Sequence, residues 1–331
     1  MTDFTLLAGT ANPALAVAVA AELGVRPGAC TIERFPDGET TVRLDEPVRG
    51  RVVFLLQPTG PPVNDHLVEL LACADACRRS AAGRIIAVVP YFGYARSDKR
   101  NGRREPITAS LVARLMQAAG IEHVVTLDLH ADQIEGFFRI PVDNLTAVPT
   151  LCRTLRSGLP PGTVVVSPDA GRVRMATEYA HRLGAPVVVL HKRRAGPTNT
   201  EVTHVVGDVQ DRFCLIIDDM ISTGGTIARA VEALIAAGAR PEITIAATHG
   251  LFVGNARTRL DHQAVRRVIV TDTLAAVERG RPSFQVASVA PLLAAAIRRL
   301  RADESFEELF RDSPLSVRPE PPTYQELGRE T

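Results

Sequence analysis

Short runs of apolar and β-branched residues alternate with longer amphipathic segments along this 331-residue chain, and this alternation strongly constrains the fold. The short runs are nearly continuous in apolar residues, which is typical of parallel strands covered by helices on both faces. They comprise residues 52–57, 85–91, 123–129, 163–169, 186–192, 214–219, 243–249 and 267–273. The pattern predicts an α/β protein with two doubly wound, mostly parallel sheets.

The segments between these runs have helical periodicity, and the length of the chain suggests two domains at roughly 150 residues each. The helical segments are 64–80, 107–120, 174–184 and 226–238, of which the last three close on glycine. We predict an N-terminal α/β domain over 1–145, joined by 303–312, and a C-terminal α/β domain over 146–302. The Pro- and Glu-rich residues 313–331 are predicted to be a loose tail.

Composition excludes several classes of protein. The net charge is +1 and the pI is about 7.7, so no global basic field favours nucleic acid or an anionic membrane. No apolar run approaches the ~18 residues that span a bilayer, and the N-terminus lacks a basic leader region. The five cysteines lie in apolar surroundings, which is typical of small core residues in a reducing compartment. We therefore expect a cytoplasmic protein without a nucleic-acid or membrane partner.

Residues 214–226 read CLIIDDMISTGGT, in which a buried strand ends on two carboxylates and a glycine-rich turn leads into a helix. Gly224 and Gly225 allow a sharp turn, so that backbone N–H groups and the helix N-terminus can converge on a phosphate. The turn lacks the GxxxxGK[ST] pattern of a nucleotide-triphosphate loop. Asp218 and Asp219 repel phosphate but accept hydrogen bonds from sugar hydroxyls.

A pentose 5-phosphate satisfies both halves of this motif, because it carries a phosphate at one end and vicinal hydroxyls at the other. Ser222, Thr223 and Thr226 add hydroxyl donors for the phosphate. The simpler interpretation, a strand end with an aspartate as helix cap, accounts for one carboxylate but not for the pair and the TGGT turn.

The motif resembles the phosphoribosyl-binding loop of the type I phosphoribosyltransferase fold family, and further motifs narrow the resemblance. From about residue 5 to about residue 311 the chain is similar to the ribose-phosphate pyrophosphokinases, or phosphoribosyl diphosphate synthetases. The motifs that carry this similarity are FPDGE (35–39), PVNDHLVELL (62–71), VVPYFGYARSDK (88–99), REPITASLVARL (104–115), TLDLHADQIEGFFRIPVDNL (126–145), VSPDAG (166–171), KRR (192–194) and GDV (207–209).

The resemblance implies transfer of the diphosphoryl group of ATP to the C1 hydroxyl of ribose 5-phosphate, with Mg²⁺ as cofactor. It implies that Lys192 and Arg194 are catalytic and that Arg194 also contacts the pentose phosphate. It further implies that His130 and Asp169 lie around the bound metal. Mg²⁺ prefers oxygen ligands, so Asp169 is the candidate for a direct or water-bridged ligand.

The resemblance also implies an ATP site shared between subunits. Phe35, Asp37 and Glu39 would reach the adenine of a neighbouring subunit, and Arg96 with Ser97 would contact the ATP phosphates. Such a site requires a homo-oligomer, which is a hexamer by resemblance.

Two alternatives remain open at this point. A phosphoribosyltransferase would share the TGGT loop but needs no ATP site, and a regulatory homologue would co-assemble with an active synthetase. Two departures from the family pattern bear on the second alternative: Arg172 where Gly is usual, and Ser222 where many members have Asp. A third departure, Ser97 where Gln is common, concerns the contact with the nucleotide. The other implied site residues are present.

Overall fold

The computed structural model describes residues 4–100, 102–194, 200–275, 284–307 and 309, with the side chains of 192–194 and 200–203 outside the description. The described strands are β1 (Phe4–Ala8), β2 (Cys30–Arg34), β3 (Thr40–Leu44), β4 (Val52–Leu56), β5 (Arg84–Val89), β6 (His123–Leu127), β7 (Val142–Leu145), β8 (Val164–Ser167), β9 (Val187–Arg194), β10 (Thr200–Val206), β11 (Cys214–Ile221), β12 (Ile243–Gly250), β13 (Val265–Thr271) and β14 (Phe284–Ala287). The helices are α1 (Pro13–Leu23), α2 (Val63–Arg79), α3 (Thr108–Ala118), α4 (Val148–Arg156), α5 (Val173–Leu183), α6 (Gly225–Ala236), α7 (Ala256–Leu260) and α8 (Ala290–Ala302), with 3₁₀ turns over Asp132–Phe137 and Ala170–Arg172.

Two separate sheets carry all eight strands that the sequence predicts. The first has the parallel order β1-β4-β5-β6-β7. The second has the order β10-β9-β8-β11-β12-β13-β14 and is parallel except for β10, which is antiparallel to β9. A separate antiparallel hairpin joins β2 and β3. The predicted α/β class with parallel sheets is confirmed.

The main core is a layer of helices that lies between the two sheets. Helices α1, α4, α5 and α8 contribute buried side chains to one apolar cluster with inward residues of both sheets, and α8 packs against α1. Phe54, Leu151 and Leu293 are fully buried within it. Each such side chain contributes about 1.5–3 kcal/mol by leaving water, so we expect Leu151→Ala to cost about 2–5 kcal/mol.

The outer faces of the sheets are covered separately. Helices α2 and α3 cover the first sheet, and α6 covers the second. Helix α5 ends at Gly184, whose φ of 65° is the left-handed conformation that glycine adopts without strain. Parallel pairing brings the carboxyl ends of the strands, apart from the antiparallel β10, to one edge of each sheet.

Two further observations concern membrane-spanning helices and disulfide bonds. Over the residues described, none of the helices combines the length and apolar character needed to cross a bilayer. The five cysteines are not bridged, and all are buried except Cys30, which is half-buried.

Candidate active site

The carboxyl ends of the two sheets face each other across a crevice and are joined directly by side chains. Thr248 of β12 donates from Oγ1 to Oδ2 of Asp128, which follows β6, at 2.6 Å. His249 contacts the carbonyl oxygen of Leu127 through Nε2 at 3.2 Å and packs edge-on against Tyr91. Burial lowers the pKa of His249, which keeps the ring neutral. These contacts fix the crevice at the place where α/β sheets bind ligands.

Asp218 and Asp219 lie side by side near the end of β11, where they are only 8% and 1% exposed. Burial raises the pKa of the Asp218 carboxyl well above its ordinary value, and the charge of Asp219 adds to the effect. Burial opposes ionisation of Asp219 as well, but the hydrogen bond with His130 and the charge of Arg172 outweigh it and lower its pKa to about 2. The two carboxyls are therefore unlike: Asp219 is ionised, and Asp218 resists ionisation.

Arg172, which follows β8, bridges this pair. Its Nε lies 3.3 Å from Oδ1 of Asp218, and its Nη2 lies 3.1 Å from Oδ2 of Asp219. Its Nη1 donates to the carbonyl oxygen of His130 at 3.1 Å. Nδ1 of His130 is 2.7 Å from the same Asp219 oxygen, and because the ionised carboxylate only accepts, we assign the proton to Nδ1. Nη2 of Arg172 and Nδ1 of His130 lie 2.8 Å apart. With this assignment both nitrogens carry protons, and both face Oδ2 of Asp219.

The sequence analysis assigned His130 to the metal surroundings and the aspartate pair to the pentose. The direct contact between His130 and Asp219 makes the two groups one continuous cluster. It is built from loops after β6 and β8 and from the end of β11, so residues about 90 positions apart in sequence meet here.

The TGGT turn follows the pair and leads into α6. Gly224 has a φ of 72°, and a Cβ there would lie 3.3 Å from the carbonyl oxygen of Ala256, so a side chain would be both strained and crowded. Helix α6 begins at Gly225, which places its N-terminal N–H groups at the turn. Thr223 is exposed, and Ser222 and Thr226 are half-buried. The geometry is that of an anion-binding helix N-terminus.

Two arginines that the sequence analysis missed flank this turn. Arg259 of α7 donates from Nη1 to the carbonyl oxygen of Thr223 at 3.0 Å. A Cβ at Gly225 would lie 3.4 Å from Nη1 of Arg259 and 3.6 Å from Nη1 of Arg229. Arg229 is four residues after Gly225 on the same helix, a spacing that could have indicated its position. For Arg259 no such local signal exists.

The donor set near the pair suits Mg²⁺. Asp169 caps the 3₁₀ turn that carries Arg172 and accepts from the N–H of Gly171 at 3.0 Å. Within the described ranges, no three His, Cys, Asp or Glu side chains cluster closely enough to hold a metal among themselves. Mg²⁺ does not need such a cage, because it is commonly held by one or two carboxylates together with phosphates and water. The residues therefore fit a metal that is bound together with substrate.

Arg96 lies on the first-sheet side of the crevice. Burial raises the pKa of Tyr91, the positive charge of Arg96 opposes this rise, and the negative charge of Asp219 adds to it. Arg96 and Asp219 therefore both act on the Tyr91 hydroxyl. Ser97 is partly committed elsewhere, since its Oγ accepts from the N–H of Thr108 at 3.2 Å at the start of α3. Its hydroxyl proton remains available to a ligand.

Phe35, Asp37 and Glu39 lie in the turn of the β2–β3 hairpin. Phe35 donates its N–H to the carbonyl oxygen of Glu39 at 2.8 Å, and Asp37 accepts from the N–H of Glu39 at 3.0 Å. The Phe35 side chain is 51% exposed. Both hydrogen bonds are local to the turn, and neither involves the aspartate pair.

Lys192 and Arg194 lie at the end of β9, whose backbone pairs with that of β10 at Val202 and Thr200. Their side chains lie outside the description, as do residues 195–199. Their catalytic roles therefore stay predictions.

Comparisons with known proteins agree over nearly the whole chain. Family models match residues 4–120, as the N-terminal domain of ribose phosphate pyrophosphokinase, and residues 195–311, as the phosphoribosyl synthetase-associated domain. The ribose-phosphate pyrophosphokinase of Chromobacterium violaceum is 46% identical over 307 residues, which are 92% of this chain and 94% of that protein. That of Rhodopirellula baltica is 46% identical over 316 residues, covering 94% of this chain and 100% of that protein.

A solved structure gives the same result. The crystal structure of phosphoribosylpyrophosphate synthetase from Mycobacterium smegmatis matches with a TM-score of 0.85 and 45% identity, covering 91% of this chain and 99% of that chain. The chain therefore belongs to the ribose-phosphate pyrophosphokinases, a family of diphosphotransferase enzymes.

Proposed function

We propose that the crevice between the two sheets is where this enzyme transfers the diphosphoryl group of ATP to the C1 hydroxyl of ribose 5-phosphate. The products are 5-phosphoribosyl 1-diphosphate, a precursor for nucleotide biosynthesis, and AMP. The observation that carries the proposal is the placement of two unlike buried carboxyls directly before an anion-binding helix N-terminus.

In this proposal the pentose spans the end of β11. Asp219 is ionised and accepts hydrogen bonds from the ribose hydroxyls, while Asp218, which resists ionisation, can donate as well as accept. The 5-phosphate lies against residues 222–226, where N–H groups, hydroxyls and the helix dipole favour negative charge. Arg259 and Arg229 add positive charge to this end of the site.

The ATP phosphates approach from the first sheet, with Arg96 on that side of the crevice. The C1 hydroxyl attacks the β-phosphorus, and the bond from this phosphorus to the α-phosphate of AMP breaks. No covalent enzyme intermediate is required, so the protein accelerates the reaction by positioning and by neutralising charge. Lys192 and Arg194, at the end of β9, are the proposed cations for the transferring group.

Asp169 is the proposed protein ligand of Mg²⁺, and His130 contacts the metal surroundings through water or phosphate. When bound, the metal neutralises charge on the ATP phosphates and orients them for attack. The half-buried carboxylate of Asp169, which follows β8 next to the strand that carries the aspartate pair, supports this assignment.

We further propose that the enzyme acts as a homo-oligomer, at least a dimer and by family resemblance a hexamer. The exposed Phe35 side chain, and the exposed apolar Val68, Leu111 and Leu115 on α2 and α3, support this assembly. A cytoplasmic location suits the ATP substrate and the unbridged cysteines.

The test is to incubate the pure protein with ATP, Mg²⁺ and ribose 5-phosphate and to separate the products by chromatography. AMP and a diphosphorylated pentose should appear, and AMP should require the pentose phosphate. A phosphoribosyltransferase would leave ATP unchanged and instead consume 5-phosphoribosyl 1-diphosphate with a base. A regulatory homologue would release no AMP alone under varied phosphate and metal concentrations.

A further inference from the structure

The crevice contains a positive charge of the protein itself at the aspartate pair. The guanidinium of Arg172 contacts one oxygen of each carboxyl, at 3.3 Å on Asp218 and 3.1 Å on Asp219, and its side chain is only 15% exposed. Its remaining nitrogen is held by the carbonyl oxygen of His130. The guanidinium is thus fixed from three directions by residues of both halves of the chain.

These contacts use carboxyl oxygens that the proposed function assigns to the ribose hydroxyls, and they lie beside His130 and Asp169, which it assigns to the metal. Oδ2 of Asp219 already accepts a hydrogen bond from His130 and forms an ion pair with Arg172. A divalent cation held by Asp169, in the turn that carries Arg172, would place a second positive charge near the guanidinium, and the two would repel each other in this buried setting. The guanidinium and an incoming cation therefore compete.

We propose that Arg172 is an internal counter-ion that occupies the aspartate pair in the ligand-free enzyme and must leave at least one carboxyl when metal and pentose phosphate bind. The proposal rests on the proposed pentose and metal site. Arg172 would then set the metal concentration at which the site becomes occupied. Before the ligands bind, it would stabilise the crevice by pairing with the two carboxyls.

A nearby arginine provides a matched control. Arg174 is two residues further along the chain and also carries a cation at the crevice edge, but it pairs with Asp132, and both side chains are largely exposed. Both arginines can be replaced by alanine, which removes the same charge from the same stretch. A third variant, Arg172→Lys, keeps the charge but lacks the fork that contacts two carboxyls at once.

The experiment measures Mn²⁺ binding to the full-length, metal-stripped protein by electron paramagnetic resonance, with ribose 5-phosphate at one fixed concentration and without nucleotide. Arg172→Ala should bind Mn²⁺ at least about fivefold more tightly than wild type, in the usual range of coupling between two competing ligands. Arg172→Lys should bind with intermediate affinity, and Arg174→Ala should match wild type. Equal Mn²⁺ binding by wild type and Arg172→Ala, including no detectable binding by either, would overturn the proposal.

Thermal melting provides a second readout that does not depend on activity. In EDTA the Arg172→Ala protein should melt below wild type, because two neighbouring buried carboxyls lose their counter-ion. Added Mg²⁺ should raise the melting temperature of this variant by more than it raises that of wild type. An equal Mg²⁺-induced rise would contradict the proposal, and the lysine variant keeps the test valid if the alanine variant does not fold. Failure here leaves the proposed function standing, since that function is judged separately by AMP release from the wild-type enzyme.

Discussion

Replacing Asp218 and Asp219 one at a time by asparagine should change the stability of the metal-free protein in opposite directions. Asparagine has nearly the same shape as aspartate and keeps an oxygen that can accept from Arg172 or His130. The two positions are adjacent, so each variant is the control for the other. The expected difference arises from the opposite pKa shifts of the two carboxyls.

The magnitudes follow from these shifts. The pKa of Asp219 is lowered from 3.8 to about 2, and this corresponds to about 2 kcal/mol of stability at neutral pH that Asp219→Asn loses. The pKa of Asp218 is raised by burial and by its neighbour, even though Arg172 acts against the rise. Asp218→Asn should therefore gain stability at neutral pH, because the amide has no charged form that burial can disfavour. For a chain of this size, 1 kcal/mol moves the melting temperature by about 2 °C.

The pH dependence has opposite signs at the two positions. The contribution of Asp219, whose folded pKa is lowered, is present above its unfolded pKa and is lost as pH falls from about 4 to about 2. The loss caused by Asp219→Asn should therefore be largest at neutral pH. The contribution of Asp218, whose folded pKa is raised, is complete below its unfolded pKa and is lost as pH rises. The gain from Asp218→Asn should be absent near pH 3.5 and should grow toward neutral pH.

The assay is calorimetric melting of both variants and wild type in EDTA at several pH values, followed by titration with ribose 5-phosphate. Asp219→Asn should bind the pentose phosphate more weakly, because an amide accepts hydroxyl hydrogen bonds less strongly than a carboxylate does. ATP binding, measured separately, should survive. Equal and same-sign stability changes in the two variants would refute the unlike ionisation of the pair. Loss of ATP binding with pentose binding intact would refute the division of the site.

Lys192→Ala should lower turnover by roughly 10²–10³-fold with little change in ribose 5-phosphate affinity, since it removes a cation from the charge that develops in the transition state. Near-normal steady-state turnover would mean that Lys192 belongs to a solvated surface. Arg259→Ala should raise the KM for ribose 5-phosphate by about fivefold through loss of one charged hydrogen bond. Arg257→Ala, on the same helix, should leave this KM unchanged. Equal effects of the two variants would contradict the role of Arg259. Mixing Phe35→Ala chains with Lys192→Ala chains should restore some activity through hybrid sites, and a fully active monomer in sedimentation would contradict the shared site.

The buried strands were predictable because both faces of each are covered, which requires an almost uninterrupted apolar run. Helix α1 was not predicted, and its side chains explain why. Leu15 and Val19 are buried as a helical pattern requires, but Val17 on the outward face is 59% exposed and equally apolar. The sequence therefore lacks the polar stripe that would have indicated an amphipathic helix.

The candidate site was predictable where one short segment contains both the strand end and the following turn, as at residues 218–226. The contacts of Arg172 were not, because they depend on how far one side chain reaches across two sheets. Its partners follow β6 and end β11, so no local spacing indicates them. The same reason applies to Arg259, whose contact with Thr223 joins α7 to the TGGT turn.

The central claim is that the C1 hydroxyl oxygen of ribose 5-phosphate attacks the β-phosphorus of ATP in this crevice while the C1–O bond stays intact. It is tested most directly by supplying ribose 5-phosphate labelled with ¹⁸O at C1 and following the products by ³¹P nuclear magnetic resonance. The account predicts that the label remains in the oxygen that joins C1 to the new diphosphate, and that AMP is unlabelled. An unlabelled bridging oxygen would mean that the C1–O bond had broken, which is the chemistry of a phosphoribosyltransferase, and would contradict the account.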